Sequence, residues 1–285
     1  MNYLFNIPNL LTACNLISGV ISIIFAFAGR IEWAVLAIFI GAVFDFFDGF
    51  AARMLKKQGE LGKQLDSLAD MVTFGVAPGI LVFILLVLSG AWNSVLEQGG
   101  TIDDFWFSGT MGFSVQYWVQ LYLDNLAGNG GQGAYVVFQG WTKVAPFGAL
   151  LIPFMSLFRL AKFNLDERQT DSFIGLPTPA NTIFFVSFGL LLWDGFGGDL
   201  WKHKVAMILI SDQVLLPLVA IFSLLLVSEL PLFSLKFKTF TWKENQVRFI
   251  FLLLAVALFA TLFVWSIPII VFLYLGLSFF TRIRN

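Results

Sequence analysis

The chain has 285 residues, 58% of them hydrophobic and 12% charged, with a formal net charge of −1. Soluble domains carry roughly 25% charged residues, so this balance excludes an ordinary water-soluble globule, and near-neutrality leaves no basic surface for nucleic acid. Cys14 and His203 are the only residues of their types, which excludes an internal disulfide and argues against a zinc site or a Cys/His nucleophile pair.

At roughly 20 residues per span the length allows about six to eight membrane helices and one membrane domain. Residues 1–9, ending near Pro8, read as a short juxtamembrane segment, with neither the basic region nor the cleavage site of a signal peptide. Apolar spans follow at about 10–29, 33–54 and 67–89. A Gly-rich, charge-poor insertion fills 90–140, and its middle reads as a helix resting on the outer interface. Further spans lie at about 144–163, 178–194 and 205–228. The stretch from 248 to 281 is too long for one span, and with Pro268 near its middle it reads as two helices hinged near Ser266-Ile267-Pro268. The total is eight: a six-helix core over 10–230 and a C-terminal hairpin over 246–283. The fold class is an all-α polytopic membrane protein. The 34 Phe and 9 Trp suit lipid-facing and interfacial surface.

Basic residues orient the spans. Arg53, Lys56, Lys57 and Lys63 follow span two; Arg159, Lys162 and Arg168 follow span four. Lys236, Lys238, Lys243 and Arg248 follow span six, and Arg282 and Arg284 end the chain. All four groups fall on one side, expected to be cytoplasmic, while Lys202 and Lys204 depart from the pattern.

Chemistry is concentrated in residues 45–70, DFFDGFAARMLKKQGELGKQLDSLAD. Asp45 and Asp48 are spaced i, i+3 at the end of one helix; Asp66 and Asp70 are spaced i, i+4 at the start of the next. Each pair shares a helix face, and the turn between the helices lets the faces oppose. Carboxylates gathered at a membrane edge repel each other and lose hydration, so they call for a hard divalent cation; all-oxygen ligation points to Mg²⁺ or Mn²⁺, with room for two ions. Such ions clamp phosphate oxygens for in-line attack. Gly49 and Ala52 keep the helix face small, Arg53 can take a phosphate with both prongs of its guanidinium, and Gly62 is expected to open the turn before span three.

These residues make up the pattern D-x2-D-G-x2-A-R-x8-G-x3-D-x3-D, met by Asp45, Asp48, Gly49, Ala52, Arg53, Gly62, Asp66 and Asp70. The stretch resembles the CDP-alcohol phosphotransferase family. That resemblance implies a six-helix, usually dimeric catalytic core that binds CDP at the cytoplasmic ends of spans two and three. It implies Asp45, Asp48, Asp66 and Asp70 as metal ligands and Asp70 as general base. It implies Asp48, Gly49, Ala52, Arg53, Gly62 and Asp66 at the CDP site. Asn15, a polar residue in span one, is expected to face the nucleotide.

Residues 64–78, QLDSLADMVTFGVAP, and the segments FRLAKFN and FIGLPTPAN within 158–181 resemble bacterial and archaeal type II phosphatidylserine synthases, as does IPNLLTACNLISG near the start. The reaction implied is CDP-diacylglycerol plus L-serine giving phosphatidylserine and CMP, in a multi-pass cytoplasmic membrane. Serine carries a carboxylate, so Arg159 and Lys162 are candidates for its pocket, with Asn164 and Thr178 as hydrogen-bonding partners. Each has an ordinary structural role open to it as well: positive-inside anchoring for the two cations, loop capping for the other two. Two readings stay open beside serine transfer. One is the same chemistry on glycerol phosphate or an inositol phosphate. The other is a cation transporter using the aspartates as its path, for which Asp212 is a further acid in or near span six.

Overall fold

The computed structural model describes residues 5–106, 109–129, 138–165, 173–197, 199–233 and 241–284. Arg168, Lys236 and Lys238 lie outside the described residues, and the side chains at 243, 282 and 284 are likewise outside them.

Helix α1 (Ile7–Phe27) starts where the Asn6 side chain accepts the Asn9 N–H at 2.9 Å and Pro8 occupies the first turn. Gly29, at φ +75°, turns the chain into α2 (Ile31–Met54). A Cβ at Gly29 would stand 2.1 Å from the Gly112 carbonyl oxygen, so only glycine fits there. Residues 60–97 form one long helical stretch in three parts: α3 (Glu60–Asp70), a π-helical turn over Met71–Val76, and α4 (Ala77–Glu97). The expected start at about 67 is corrected to Glu60. The polar first turns are helical too, and Gly62 lies inside α3 while Gly59 provides the cap. Helix α4 is buried on every side from Ala77 to Val95, as a central helix must be.

On the opposite side from the aspartates, α5 (Ile102–Phe105) and α6 (Met111–Leu126) pack against the end of α4, burying Phe105, Trp106, Trp118 and Tyr122. The chain re-enters through α7 (Trp141–Val144), a 3₁₀ turn over Ala145–Leu150, and α8 (Leu151–Leu165). A two-residue strand, β1 (Phe173–Ile174), precedes α9 (Thr178–Phe196). Helices α10 (Leu200–Leu209) and α11 (Asp212–Val227) form one span bent by 51°. Strand β2 (Pro231–Leu232) then pairs antiparallel with β1, Phe173 opposite Leu232. Helices α12 (Trp242–Leu262) and α13 (Ser266–Arg284) close the chain.

Among the described residues, five stretches are long and apolar enough to cross a bilayer: Ile7–Phe27, Ile31–Met54, Glu60–Glu97, Trp141–Leu165 and Asn245–Phe280. The bent α10–α11 pair passes the same test when its two helices are taken together. The stretch from Asn245 to Phe280 is folded back on itself. The rings of Phe251 and Tyr274 lie 5.8 Å apart, whereas a straight helix would separate them by about 34 Å. The reversal is at Phe263, whose φ is +48°, so the hinge lies just ahead of the expected Ser266-Ile267-Pro268. Pro268 falls in the first turn of α13, where its missing N–H costs nothing. Helix α9, 19 residues and about 28 Å long, runs beside these spans and is not among the five stretches. The protein is an all-α, multi-pass membrane protein. Asp194 fastens the C-terminal hairpin to the core, accepting from Trp265 Nε1 at 2.8 Å and Lys202 Nζ at 3.0 Å. That pairing accounts for Lys202, one of the two basic residues that departed from the charge pattern.

Candidate active site

The site forms where α2 ends and α3 begins. Asp45 and Asp48 lie one turn apart on α2, and Asp66 approaches from α3. One carboxylate oxygen from each of these three lies within 4.8 Å of the other two. Asp45 is also within hydrogen-bonding reach of Asp70. Among the described residues none of the four acids forms an ion pair with a lysine or arginine. Asp66 Oδ1 is buried without a hydrogen-bond partner among the described residues. Two unit charges about 5 Å apart repel by roughly 3 kcal/mol at an effective dielectric near 20. Three such carboxylates without a countercharge, one carrying an unmet buried oxygen, fit a divalent cation with oxygen ligands.

The acids are oriented from behind. Thr12 Oγ1 donates to Asp48 Oδ2 at 2.5 Å, and both residues are buried. Asn15 Nδ2 donates to Asp70 Oδ1 at 3.1 Å. Asn15 is in turn fixed by Thr73, whose hydroxyl donates to the Asn15 carbonyl at 2.9 Å. Thr73 lies in the π-turn and is gripped by two glycines. A Cβ at Gly19 would stand 2.6 Å from Thr73 Oγ1, and one at Gly41 would stand 2.7 Å from Thr73 Cγ2. Small residues thus bring α1 and α2 onto the π-turn directly after Asp70. Such turns recur at functional sites because the extra residue re-aims the side chains around it.

In front of the acids opens a cavity of about 480 Å³, within the range of small-molecule sites. Asp48, Gly49, Ala52, Arg53, Gly62 and Asp66 line it, together with Asn9, Thr12, Lys57 and Lys63. The Arg53 guanidinium lies over Gly49, where a Cβ would come within 3.5 Å of its Nη1. A ring of cations around a mouth floored by carboxylates suits a phosphate group neutralised from both sides.

The residue pattern of the CDP-alcohol phosphatidyltransferase family matches residues 5–107. A Bacillus subtilis CDP-diacylglycerol–serine O-phosphatidyltransferase is 31% identical over 179 residues, which is 63% of this chain and 71% of that protein. The chain belongs to the CDP-alcohol phosphatidyltransferase family. A Helicobacter pylori protein of the same name is 28% identical over 193 residues, 67% of this chain and 60% of that protein. The archaetidylserine synthase of Methanothermobacter thermautotrophicus is 27% identical over 215 residues, 74% of this chain and 66% of that protein.

Within this phosphatidyltransferase framework the structure separates the expected site residues into three groups. Asp48, Asp66 and the small and basic residues of the motif line one cavity, while Asp45 and Asp70 stand beside those acids and outside its lining. Asn15, expected to face the nucleotide, is fully buried and engaged with Asp70 instead. The acceptor candidates divide. Arg159 is buried, donating from Nε to the Leu176 carbonyl at 3.0 Å, and Thr178 is buried in the first turn of α9. Lys162 pairs with exposed Glu229 and reaches the Val227 carbonyl at 3.4 Å, tying α8 to the end of α11. Asn164 donates to Ser67 Oγ at 2.7 Å and its carbonyl accepts from Lys63, joining α8 to α3. The sequence marks Asn9 and Thr12, with Asn15, as polar groups at the start of span one that face a partner or a polar ligand, and does not single out Lys57 or Lys63 for the cavity. The i, i+3, i+6 spacing of Asn9, Thr12 and Asn15 was the available signal for a polar stripe on α1.

Proposed function

We propose that the protein transfers the phosphatidyl group of CDP-diacylglycerol to L-serine, giving phosphatidylserine and CMP. The observation that carries this reading is the three-carboxylate cluster of Asp45, Asp48 and Asp66, without an ion pair to lysine or arginine among the described residues. Two of its members, Asp48 and Asp66, line a cavity shared with Arg53, Lys57 and Lys63. The names of the bacterial relatives support serine as the acceptor. The cofactor in this reading is Mg²⁺ or Mn²⁺, two ions, with Asp45, Asp48 and Asp66 as the principal ligands and Asp70 beside them. When bound, the metal neutralises the pyrophosphate charge and the charge that grows on the leaving phosphate.

The chain's own residues do the rest. Arg53, with Lys57 and Lys63 nearby, holds the pyrophosphate, while Gly49 and Ala52 let it approach the backbone. The diacylglycerol tails remain in lipid beside the exposed apolar faces of α1 and α2. Asp70 is positioned by Asn15 to accept the proton of the serine hydroxyl. The serine oxygen attacks the phosphorus that carries diacylglycerol, and the bond from that phosphorus to the CMP oxygen breaks. CMP leaves with the electron pair, and Asp70 passes its proton to water. No covalent enzyme intermediate is needed; positioning and electrostatics supply the rate.

The same reading puts the active site on the cytoplasmic side of the cell membrane, supported by Arg53, Lys56, Lys57 and Lys63 flanking it. It takes the working unit as a homodimer, for which crosslinking in native membranes is the check. The transporter alternative loses its one additional acid: Asp212 accepts from Trp141 Nε1 at 2.6 Å, which makes it an anchor between helices. Purified protein given CDP-diacylglycerol, Mn²⁺ and a panel of alcohols tests the assignment. CMP release with serine supports it; release only with glycerol phosphate or an inositol phosphate overturns it.

A further inference from the structure

A second buried polar cluster lies behind Asp70, on α8, α9 and the π-turn. Thr178, Asn181 and Thr182 occupy one face of α9 within about 100° of arc, given 3.6 residues per turn. Thr182 fixes that face onto the π-turn, its hydroxyl donating to the Phe74 carbonyl at 2.8 Å. Ser156 and Arg159, one turn apart on α8, meet the same region. A Cβ on Gly75 would stand 3.2 Å from Ser156 Cβ, and Arg159 donates to the carbonyl of Leu176 just before α9.

Two members of this cluster are unmet. Asn181 is fully buried, and among the described residues neither its Nδ2 nor its Oδ1 has a hydrogen-bond partner; Ser156 is fully buried with its Oγ likewise unpartnered. A buried donor or acceptor left unmade costs roughly 1–3 kcal/mol, and Asn181 carries both kinds on one amide. Such groups call for a ligand or bound water. An amide offering an N–H and a carbonyl side by side matches a zwitterion, with the carboxylate accepting from Nδ2 and the ammonium donating to Oδ1. The adjacent guanidinium of Arg159 supplies the countercharge for a carboxylate.

We propose that Asn181 and Ser156, with Arg159, form the subsite for the α-ammonium and α-carboxylate of an amino-acid acceptor, its side-chain hydroxyl directed toward Asp70. This rests on the serine-transfer reading above. It assigns the selectivity for an amino acid to α8 and α9, and leaves Lys162 and Asn164 to their structural contacts.

The test is steady-state kinetics of CMP release by the full chain in lipid nanodiscs, with Mn²⁺-dependent CDP binding measured in parallel. Asn181→Ala should raise the KM for serine at least tenfold while the KM for CDP-diacylglycerol and the CDP affinity stay within twofold. Ser156→Ala should raise the serine KM severalfold with the same selectivity. Asn181→Asp keeps the shape but sets a carboxylate against the acceptor's own. It should weaken serine further while the CDP affinity stays within twofold. It also decides the matter if Asn181→Ala does not fold. Unchanged serine KM in the alanine variants, or in Asn181→Asp, overturns the proposal, as does parallel loss of CDP binding in all three. If the unsubstituted protein releases CMP with serine and the variants do so at an unchanged serine KM, only this subsite is wrong. If it releases none with serine, both readings fall.

Discussion

Thr12 gives the sharpest test of how the cluster is held. Its hydroxyl has one proton and two acceptors in reach: Asp48 Oδ2 at 2.5 Å and the Pro8 carbonyl at 3.1 Å. The shorter, charge-assisted bond to the carboxylate takes it. Thr12→Val preserves the branched shape and removes only that donor. A hydrogen bond to a charged group contributes about 1.5–3 kcal/mol, and 1.4 kcal/mol is a factor of ten. Groups that orient metal ligands from behind cost about 10- to 100-fold in metal affinity or activity when removed. The Mn²⁺ concentration for half-maximal CMP release should therefore rise about 10- to 100-fold in Thr12→Val. Thr12→Ser, which keeps the hydroxyl, should restore the metal response to within a few-fold. A Thr12→Val variant whose Mn²⁺ response lies within twofold of the parent would refute the view that Thr12 sets the Asp48 carboxylate.

Other outcomes follow from the same geometry. Asp70→Asn should retain Mn²⁺-dependent CDP binding and lose turnover by at least about 10³-fold, within the range of a general base; full turnover removes Asp70 from that role. Gly41→Ala puts a methyl group 2.7 Å from Thr73 Cγ2, an overpacking worth about 1–3 kcal/mol, and should lower both thermal stability and kcat. Trp265→Phe removes the indole donor to Asp194 and should lower the thermal midpoint while leaving both KM values unchanged. The Asp104 carboxyl lies below the usual carboxylate range because the Thr101 backbone N–H, and then its hydroxyl, donate to it. A depressed carboxyl contributes order that is present above its unfolded pKa of about 3.9 and is lost as pH falls through the folded value. Protection of the Thr101 amide, measured against the intrinsic exchange rate at each pH, should therefore fall at acid pH and no longer depend on pH in Asp104→Asn.

Much of the fold was readable because a bilayer demands long apolar runs, so spans such as Ile7–Phe27 announce themselves. The aspartates were readable because their i, i+3 and i, i+4 spacings fix them on helix faces, and few other reasons place four acids at a membrane edge. What was not readable depends on contacts between distant segments. The first turns of α3 carry Leu61, Leu65 and Leu68 at helical spacing but are too polar to register as part of a membrane span, so its start at Glu60 was hidden. The π-turn at Met71–Val76 leaves no pattern of its own; it follows from Gly19 and Gly41 admitting Thr73 between two helices. Asn15 was expected to face the nucleotide, because sequence reveals which helix carries a polar group without revealing whether that group meets the ligand or supports a neighbour that does. Lys162 and Asn164 had the right chemistry for an acceptor, but Glu229 and Ser67, distant in sequence, hold them elsewhere.

The central claim is that carboxylates from α2 and α3 hold divalent ions to which a pyrophosphate binds. Equilibrium binding of CDP to the purified full chain, with and without Mn²⁺, tests it most directly when Asp66→Asn is measured alongside. The account predicts tight CDP binding only when Mn²⁺ is present, and none of it in Asp66→Asn. CDP binding of equal strength without a divalent ion, or in Asp66→Asn, would contradict it.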